Sequence, residues 1–195
     1  IADITGYSSY LARVELDHAQ DILADLVGTV VGALRPAFKL AKLEGDAAFM
    51  HLPADRIDGT VLLDAVERCY LGFRRRRRDV RQATSCACDA CSRIPDLDLK
   101  FAIHHGLAVG HRVAGRQELL GADVILVHRL LKNDVVERLG VEAYALFTQA
   151  TETDPKYHQA FYSLGVVQER LKDQGAAASY KKAFSLAPDY EPAII

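Results

Sequence analysis

The stretch Ala2-Asp3-Ile4-Thr5-Gly6-Tyr7-Ser8 reads as a short apolar strand that delivers an aspartate to a glycine-containing turn. A second stretch, Lys42-Leu43-Glu44-Gly45-Asp46-Ala47-Ala48-Phe49-Met50, repeats this arrangement around Gly45 and Asp46. Glycine in such a turn lets backbone N–H groups approach the oxygen atoms of a phosphate. Two aspartates at the ends of neighbouring strands can share a divalent cation such as Mg²⁺, which prefers oxygen ligands. The two stretches therefore predict a sheet that carries a cation site.

Around these stretches the sequence predicts alternating helices and strands. Apolar residues with helical spacing fill residues 11–34, and Pro36 ends that pattern. The further predicted elements are a β-hairpin of strands 38–43 and 47–52, a helix over 62–73 that runs into an arginine cluster, a strand over 97–104, a helix over 121–139 and a strand over 144–147. This order, β-α-β-β-α-β-α-β, predicts an α+β fold with helices on one face of the sheet.

The composition is that of an ordinary globular protein. Half of the 195 residues are hydrophobic and the net charge is −2, so charge gives no argument for nucleic acid or a membrane surface. No apolar run approaches the length of a transmembrane helix, and the cysteines are clustered rather than spread as a disulfide framework. We therefore expect a cytoplasmic protein. Because Ile1 is not a natural start, we also expect a segment upstream of it.

The two acidic motifs resemble the metal-binding core of the class III nucleotidyl cyclases, the adenylate and guanylate cyclase superfamily. That family has an Asp-Ile-x-Gly-Phe/Tyr-Ser/Thr strand and turn followed by a Lys-x-x-Gly-Asp hairpin, which residues 3–8 and 42–46 match. The runs 40–46 and 127–133 are most similar to an uncharacterised bacterial offshoot of the cyclases. The resemblance implies a ferredoxin-like, cyclase-type sheet over residues 1–150, truncated at its N-terminus, and a homodimer with two symmetric sites.

The resemblance also implies roles for individual residues. Asp3 and Asp46 would hold Mg²⁺ or Mn²⁺ with the Ile4 carbonyl oxygen as an additional ligand, unless the aspartates only cap turns. The backbone facing the triphosphate would belong to Gly6, Tyr7 and Ser8. Lys42 and Glu118 would recognise the base, although both can also be exposed surface charges.

One position departs from the family pattern. Arg129 matches the catalytic helix arginine, but the position of the transition-state asparagine is Ile125, which cannot donate a hydrogen bond. The resemblance thus implies binding of a metal–nucleoside triphosphate, with weak or lost formation of a 3′,5′-cyclic nucleotide. The alternative is a non-catalytic nucleotide-sensing or scaffold module that acts through the C-terminal segment.

The cysteine motif Cys86-Ala87-Cys88-Asp89-Ala90-Cys91 suggests a second metal site. Three thiolates so close together can hold a structural Zn²⁺ if Cys69, His104 or His105 supplies a fourth ligand. A redox pair and simple reduced thiols are the alternatives.

The arginines at 74–78 and 81 suggest anion binding or, alternatively, a solvated helix end with acidic partners. Aromatic residues that would stack on single-stranded RNA are not interleaved with them, so nucleic acid is an unlikely partner.

The chain changes character near Thr151. Residues 160–165 and 178–184, followed by Pro188, resemble a single tetratricopeptide-type helical hairpin over 151–195. One such hairpin cannot bury its apolar face alone, so it predicts packing on the preceding domain, on further repeats or on a protein partner. A weaker echo of the repeat at Phe147, Ala150 and Pro155 competes with the predicted strand over 144–147.

Overall fold

The computed structural model describes residues 1–53, 59–148 and 181. The elements in this part of the chain are β1 (Ala2–Thr5), α1 (Tyr7–Leu11), α2 (Leu16–Leu34), β2 (Lys39–Glu44), β3 (Ala47–His51), α3 (Gly59–Ala83), α4 (Asp89–Ser92), a 3₁₀ turn (Ile94–Asp96), β4 (Asp98–His104), β5 (Val109–Val113), β6 (Arg116–Leu120), α5 (Ala122–Leu130), α6 (Val135–Leu139) and β7 (Tyr144–Thr148). The predicted α+β class is confirmed.

Five strands form the main sheet in the order β2-β3-β1-β4-β7. All neighbours run antiparallel except β4 and β7, which are parallel. The predicted hairpin, the strand before His105 and the last strand are therefore confirmed. The pairing of β1 with β4 places Asp3 opposite Lys100, and the β2–β3 turn carries Asp46 beside the end of β1.

Helices α2 and α3 cover one face of the sheet. The spacing of apolar residues along α2 turns Ile22, Leu26 and Val30 inward, where they meet Phe73 of α3 and Leu99 of β4. Burying each large apolar side chain stabilises the fold by about 1.5–3 kcal/mol. This layer is the main hydrophobic core.

Helix α5 packs on the opposite face. Phe101 belongs to the core under α2 and α3, whereas its neighbour Ala102 packs with Phe49 and with Val127 of α5. Neighbouring residues of a strand point to opposite faces, so helices lie on both sides of the sheet. The prediction of helices on one face describes α2 and α3 but not α5.

Two local predictions also need correction. The helix predicted over 121–139 is divided into α5 and α6, because the Asn133 side chain donates to the Leu130 carbonyl and accepts from the Val135 N–H. The β5–β6 hairpin was not predicted; it turns at Ala114 and Gly115, which both have positive φ.

The C-terminal hairpin predicted for residues 151–195 lies, apart from Lys181, outside the described residues. That hairpin and the ferredoxin-like arrangement implied by the resemblance stay predictions. Phe147 lies in β7, which favours the strand over the repeat echo at this position.

Candidate functional site

Asp3 and Asp46 meet at one end of the sheet. Strand β1 presents Asp3, whose Oδ2 atom lies 3.2 Å from Nζ of Lys100, and both side chains are 17% exposed. The β2–β3 turn presents Asp46, whose Oδ2 atom accepts the Ile4 N–H at 3.1 Å. The two carboxyl groups are close enough for the charge of Asp3 to raise the pKa of Asp46. Residues more than forty positions apart in sequence therefore form one carboxylate pair, next to a single lysine.

The pair carries more negative charge than its surroundings neutralise. Burial, and then the charge of Asp3, raise the pKa of Asp46 from its ordinary value of 3.8 to about 7, although the N–H groups of Asp46 and Ile4 oppose the rise. A carboxyl pKa raised by burial and by a second carboxylate marks a candidate functional site. A divalent cation can supply the positive charge that this pair lacks.

The turn after β1 follows the predicted pattern. Gly6 has a φ of +87°, and a Cβ atom there would lie 2.8 Å from the Asp96 carbonyl oxygen, so the turn requires glycine. Beside it, the buried hydroxyl of Thr5 has no hydrogen-bond partner within the described part of the chain. Of the other predicted phosphate-facing residues, Tyr7 is half-buried and Ser8 is exposed.

A cavity of about 520 Å³ opens between α2 and the β2–β3 hairpin. Tyr7, Gly45 and Asp46 lie at one part of its wall, the apolar side chains of α2 form much of the rest, and Arg35 adds a cation. Asp46 is therefore reached from an open space rather than sealed in the core.

A second cleft, of about 320 Å³, lies between β2 and α5. Lys42 lines it, and Nζ of Lys42 lies 2.6 Å from Glu44 and 3.9 Å from Glu118. The structure thus brings together the two residues predicted to recognise a base, and Arg129 lines the same cleft. Ile125 also lines it and is 63% exposed.

Sequence reasoning missed three polar residues of this cleft, Glu44, His128 and Lys132. The Glu44 carboxylate contacts Lys42 and lies 3.0 Å from Nε2 of His128, and its hydrogen bond raises the pKa of Lys42. Glu44 was recognisable in principle, because it follows Lys42 by two residues and so shares its face of β2. His128 and Lys132 depend on how α5 packs.

The thiols and one histidine form a separate cluster. Cys86 follows α3, Cys88 caps α4 and Cys91 lies within α4, while His18 comes from the first turn of α2. The candidate ligand atoms of these four residues all lie within 4.8 Å of one another, so the cluster could hold a metal ion.

His18, and not one of the expected residues, completes this cluster. Cys69 is buried between α2 and α3, where its thiol lies 3.8 Å from the Val30 carbonyl and burial raises its pKa to about 12. His104 instead contacts Asp123 and Thr148, and His105 is exposed. The prediction of the three cysteines is consistent with the cluster; the predicted fourth ligands are wrong.

Several arginines of the cluster on α3 have acidic partners. Arg76 lies 2.6 Å from Asp25, and Arg77 lies 3.4 Å from Asp98 and also bonds the Leu97 carbonyl. Arg78 lies 3.6 Å from Asp79. This pairing supports the interpretation of the arginines as a solvated and paired helix end.

Within the described residues, no helix combines the length and apolar character needed to cross a membrane.

The chain is similar to the uncharacterized protein Rv2561/Rv2562 of Mycobacterium tuberculosis, with 39% identity over 113 residues that make up 58% of this chain. That alignment covers 52% of the relative, so the chain spans about half the length of the curated relative it matches. No solved structure matches the chain significantly.

The family assignment based on the acidic motifs was wrong. The family model that matches, over residues 23–138, is that of a protein family of unknown function rather than that of the class III cyclases. The motifs therefore report a local arrangement of strands and carboxylates and not membership of the cyclase superfamily. Since the match covers more than half of the chain, the chain belongs to the family of unknown function DUF2652.

Proposed function

We propose that the protein is a module that binds a nucleoside triphosphate through a divalent cation held by Asp3 and Asp46. The observation that carries this proposal is the meeting of the Asp3 and Asp46 carboxyl groups at one end of the sheet, beside Lys100. Carboxylate oxygens suit Mg²⁺ or Mn²⁺, and water and phosphate oxygens commonly complete the coordination of these ions. We include the Ile4 carbonyl oxygen in this proposal as a further ligand of the same cation.

The surroundings of the pair support a phosphate ligand. Lys100 offers a positive charge, and the Thr5 hydroxyl is a buried donor that lacks a partner among the described residues. A metal-bound phosphate would satisfy that hydroxyl and replace the Asp46 proton with a cation. We assign the backbone of residues 6–8 to this contact.

The cleft between β2 and α5 supports recognition of the rest of the nucleotide. Lys42 can donate to a ring nitrogen and Glu118 can accept from an exocyclic amine, while Arg129 offers a fork of donors for phosphate. Ile125 also lines the cleft, and its apolar side chain cannot donate a hydrogen bond to a bound ligand. We therefore propose binding without efficient turnover, with ATP or GTP as the ligand.

We further propose that nucleotide binding changes how the segment 151–195 engages a protein partner. The predicted homodimer and the predicted partner of that segment both belong to this proposal.

The test is a titration of the full chain with ATP and with GTP, in buffer with Mn²⁺ and in buffer without divalent cation. We expect binding only with Mn²⁺, and affinity at least about tenfold lower in Asp46→Asn, which loses one anionic ligand. The matched control is Asp79→Asn on α3, which should bind as the parent does. Equal binding without the cation, or in Asp46→Asn, would refute the proposal.

Analysis of the recovered nucleotide separates binding from chemistry. An unchanged triphosphate after prolonged incubation supports the binding module. Conversion that disappears in Asp46→Asn would instead identify an enzyme.

A further inference from the structure

We propose that His18, Cys86, Cys88 and Cys91 form a closed zinc site that joins the start of α2 to the segment after α3. This site is independent of the carboxylate pair, because it uses different residues and a different class of ligand. Its role is structural: the ion fixes the end of the helical layer that covers the sheet.

The distances already suit a tetrahedral ion. Nδ1 of His18 lies 3.3 Å from the sulfur of Cys88, 3.5 Å from that of Cys91 and 3.6 Å from that of Cys86. With Zn–N of about 2.1 Å and Zn–S of about 2.3 Å, tetrahedral geometry separates nitrogen from sulfur by about 3.6 Å. The nitrogen–sulfur distances therefore match those of a tetrahedral zinc site, and all four ligand atoms lie within 4.8 Å of one another.

The donor set selects the metal. Three thiolates and one imidazole are soft or borderline ligands, which favour Zn²⁺ and disfavour Mg²⁺ and Ca²⁺. Four protein ligands leave no open position for substrate, and this arrangement is typical of structural zinc. Cys86, Cys88 and Cys91 form no disulfide bonds, so the sulfur atoms of all three are available to a metal ion.

Backbone N–H groups of the segment point at two of the three sulfur atoms. The N–H of Cys88 points to the sulfur of Cys86, and the N–H of Cys91 points to the sulfur of Cys88, each at 3.5 Å. The Thr84 hydroxyl approaches the sulfur of Cys91 at 3.7 Å. Hydrogen bonds of this kind orient metal ligands and tune their basicity.

The segment that carries the thiols also meets α1 and α2 through hydrogen bonds and through the buried side chains of Ala90 and Cys91. The Tyr10 hydroxyl donates to the Ala90 carbonyl at 2.9 Å, and the Ala90 N–H lies 3.3 Å from Glu15. His18 itself is exposed and stands 68 residues from Cys86. An ion bound by all four residues would close this long loop in the folded state only, so zinc binding would contribute directly to folding.

The experiment measures zinc in the full chain, purified under reducing conditions and freed of unbound metal. We expect about one zinc per chain in the parent and in His111→Ala, a histidine of β5 outside the cluster. Cys88→Ser should retain less than about a tenth of that zinc, and His18→Ala should lose affinity at least about tenfold in competition with a chelator. A parent that takes up no zinc, or a His18→Ala variant that binds as tightly as the parent, overturns the proposal.

A second measurement does not depend on how well the variants fold. Co²⁺ added to the metal-free parent should give the visible absorption of a tetrahedral ion and a thiolate-to-cobalt charge-transfer band, and Zn²⁺ should abolish both. Absence of these bands contradicts the site. Asp46→Asn should keep the full zinc content, so failure of the zinc site and failure of nucleotide binding are separately visible.

Discussion

Replacing Asp46 with asparagine is expected to stabilise the protein while removing its cation site. Asparagine keeps the shape of the side chain and can still accept the Ile4 N–H through its carbonyl oxygen. It carries no charge, so the repulsion by Asp3 and the cost of burying a second carboxylate disappear. A side chain retained at a cost in stability is typical of a functional site.

The magnitude follows from the pKa of Asp46, which rises from 3.8 to about 7 in the folded protein. A change of one pKa unit corresponds to 1.36 kcal/mol, so the Asp46 charge destabilises the folded parent by at most about 4 kcal/mol. Because the site is partly open to solvent and lies near Lys100, screening reduces the expected effect to about 1–2 kcal/mol. The folded state holds the proton between pH 4 and 7 while the unfolded state has lost it, so Asp46 lowers the stability of the parent as pH rises through this window.

Urea denaturation of parent and variant at pH 4.5 and pH 8, in buffer without divalent cations, measures this difference. We expect Asp46→Asn to be about 1–2 kcal/mol more stable than the parent at pH 8, and the gain to be smaller at pH 4.5, where the folded parent still holds the proton. Mn²⁺ should stabilise the parent and not the variant. A variant less stable than the parent at pH 8, or a gain that does not depend on pH, would refute the reasoning.

Three further predictions follow from the same structure. Mn²⁺ affinity, measured by titration calorimetry, should rise from pH 6 to pH 8 because the cation displaces the proton whose pKa is about 7, and a flat profile would contradict this. Arg77→Ala should lower the free energy of unfolding, measured by urea denaturation, by about 2–3 kcal/mol because it leaves the largely buried Asp98 unpaired. The Arg78 side chain is 64% exposed, so Arg78→Ala should change that free energy by less than about 0.5 kcal/mol. Equal effects of the two substitutions would contradict this expectation. Gly6→Ala should lower the melting temperature because its φ is +87° and its Cβ would meet the Asp96 carbonyl, while Gly28→Ala should raise it because the helix there has open space; the opposite order would be evidence against this account of the turn.

The sequence predicts well the helices and strands whose apolar residues follow a regular local spacing. The β2–β3 hairpin and strand β4 have strong strand-like runs, and α2 has a clear apolar stripe, so their positions agree with the structure within a few residues. The sequence does not predict the β5–β6 hairpin because its turn has Ala114 at positive φ, where asparagine or glycine is the usual signal. The sequence does not predict the end of α5 because a single side chain, that of Asn133, interrupts an otherwise helical pattern.

The candidate sites depend on tertiary contacts that no spacing discloses. Asp3 and Asp46 were predicted to meet because both follow strands, but the partner Lys100 requires the register of β1 and β4. His18 looked like any exposed helical histidine, and only the packing of α2 against the thiol segment makes it a ligand candidate. The short motifs described the local geometry around the carboxylates and still pointed to the wrong family.

The most direct test of the carboxylate site is a crystal structure of the full chain grown with Mn²⁺, analysed by the anomalous scattering of manganese. We predict an anomalous peak coordinated by the side chains of both Asp3 and Asp46. A fully ordered site in which manganese binds neither carboxylate, with Asp3 still paired only to Lys100, would contradict the account.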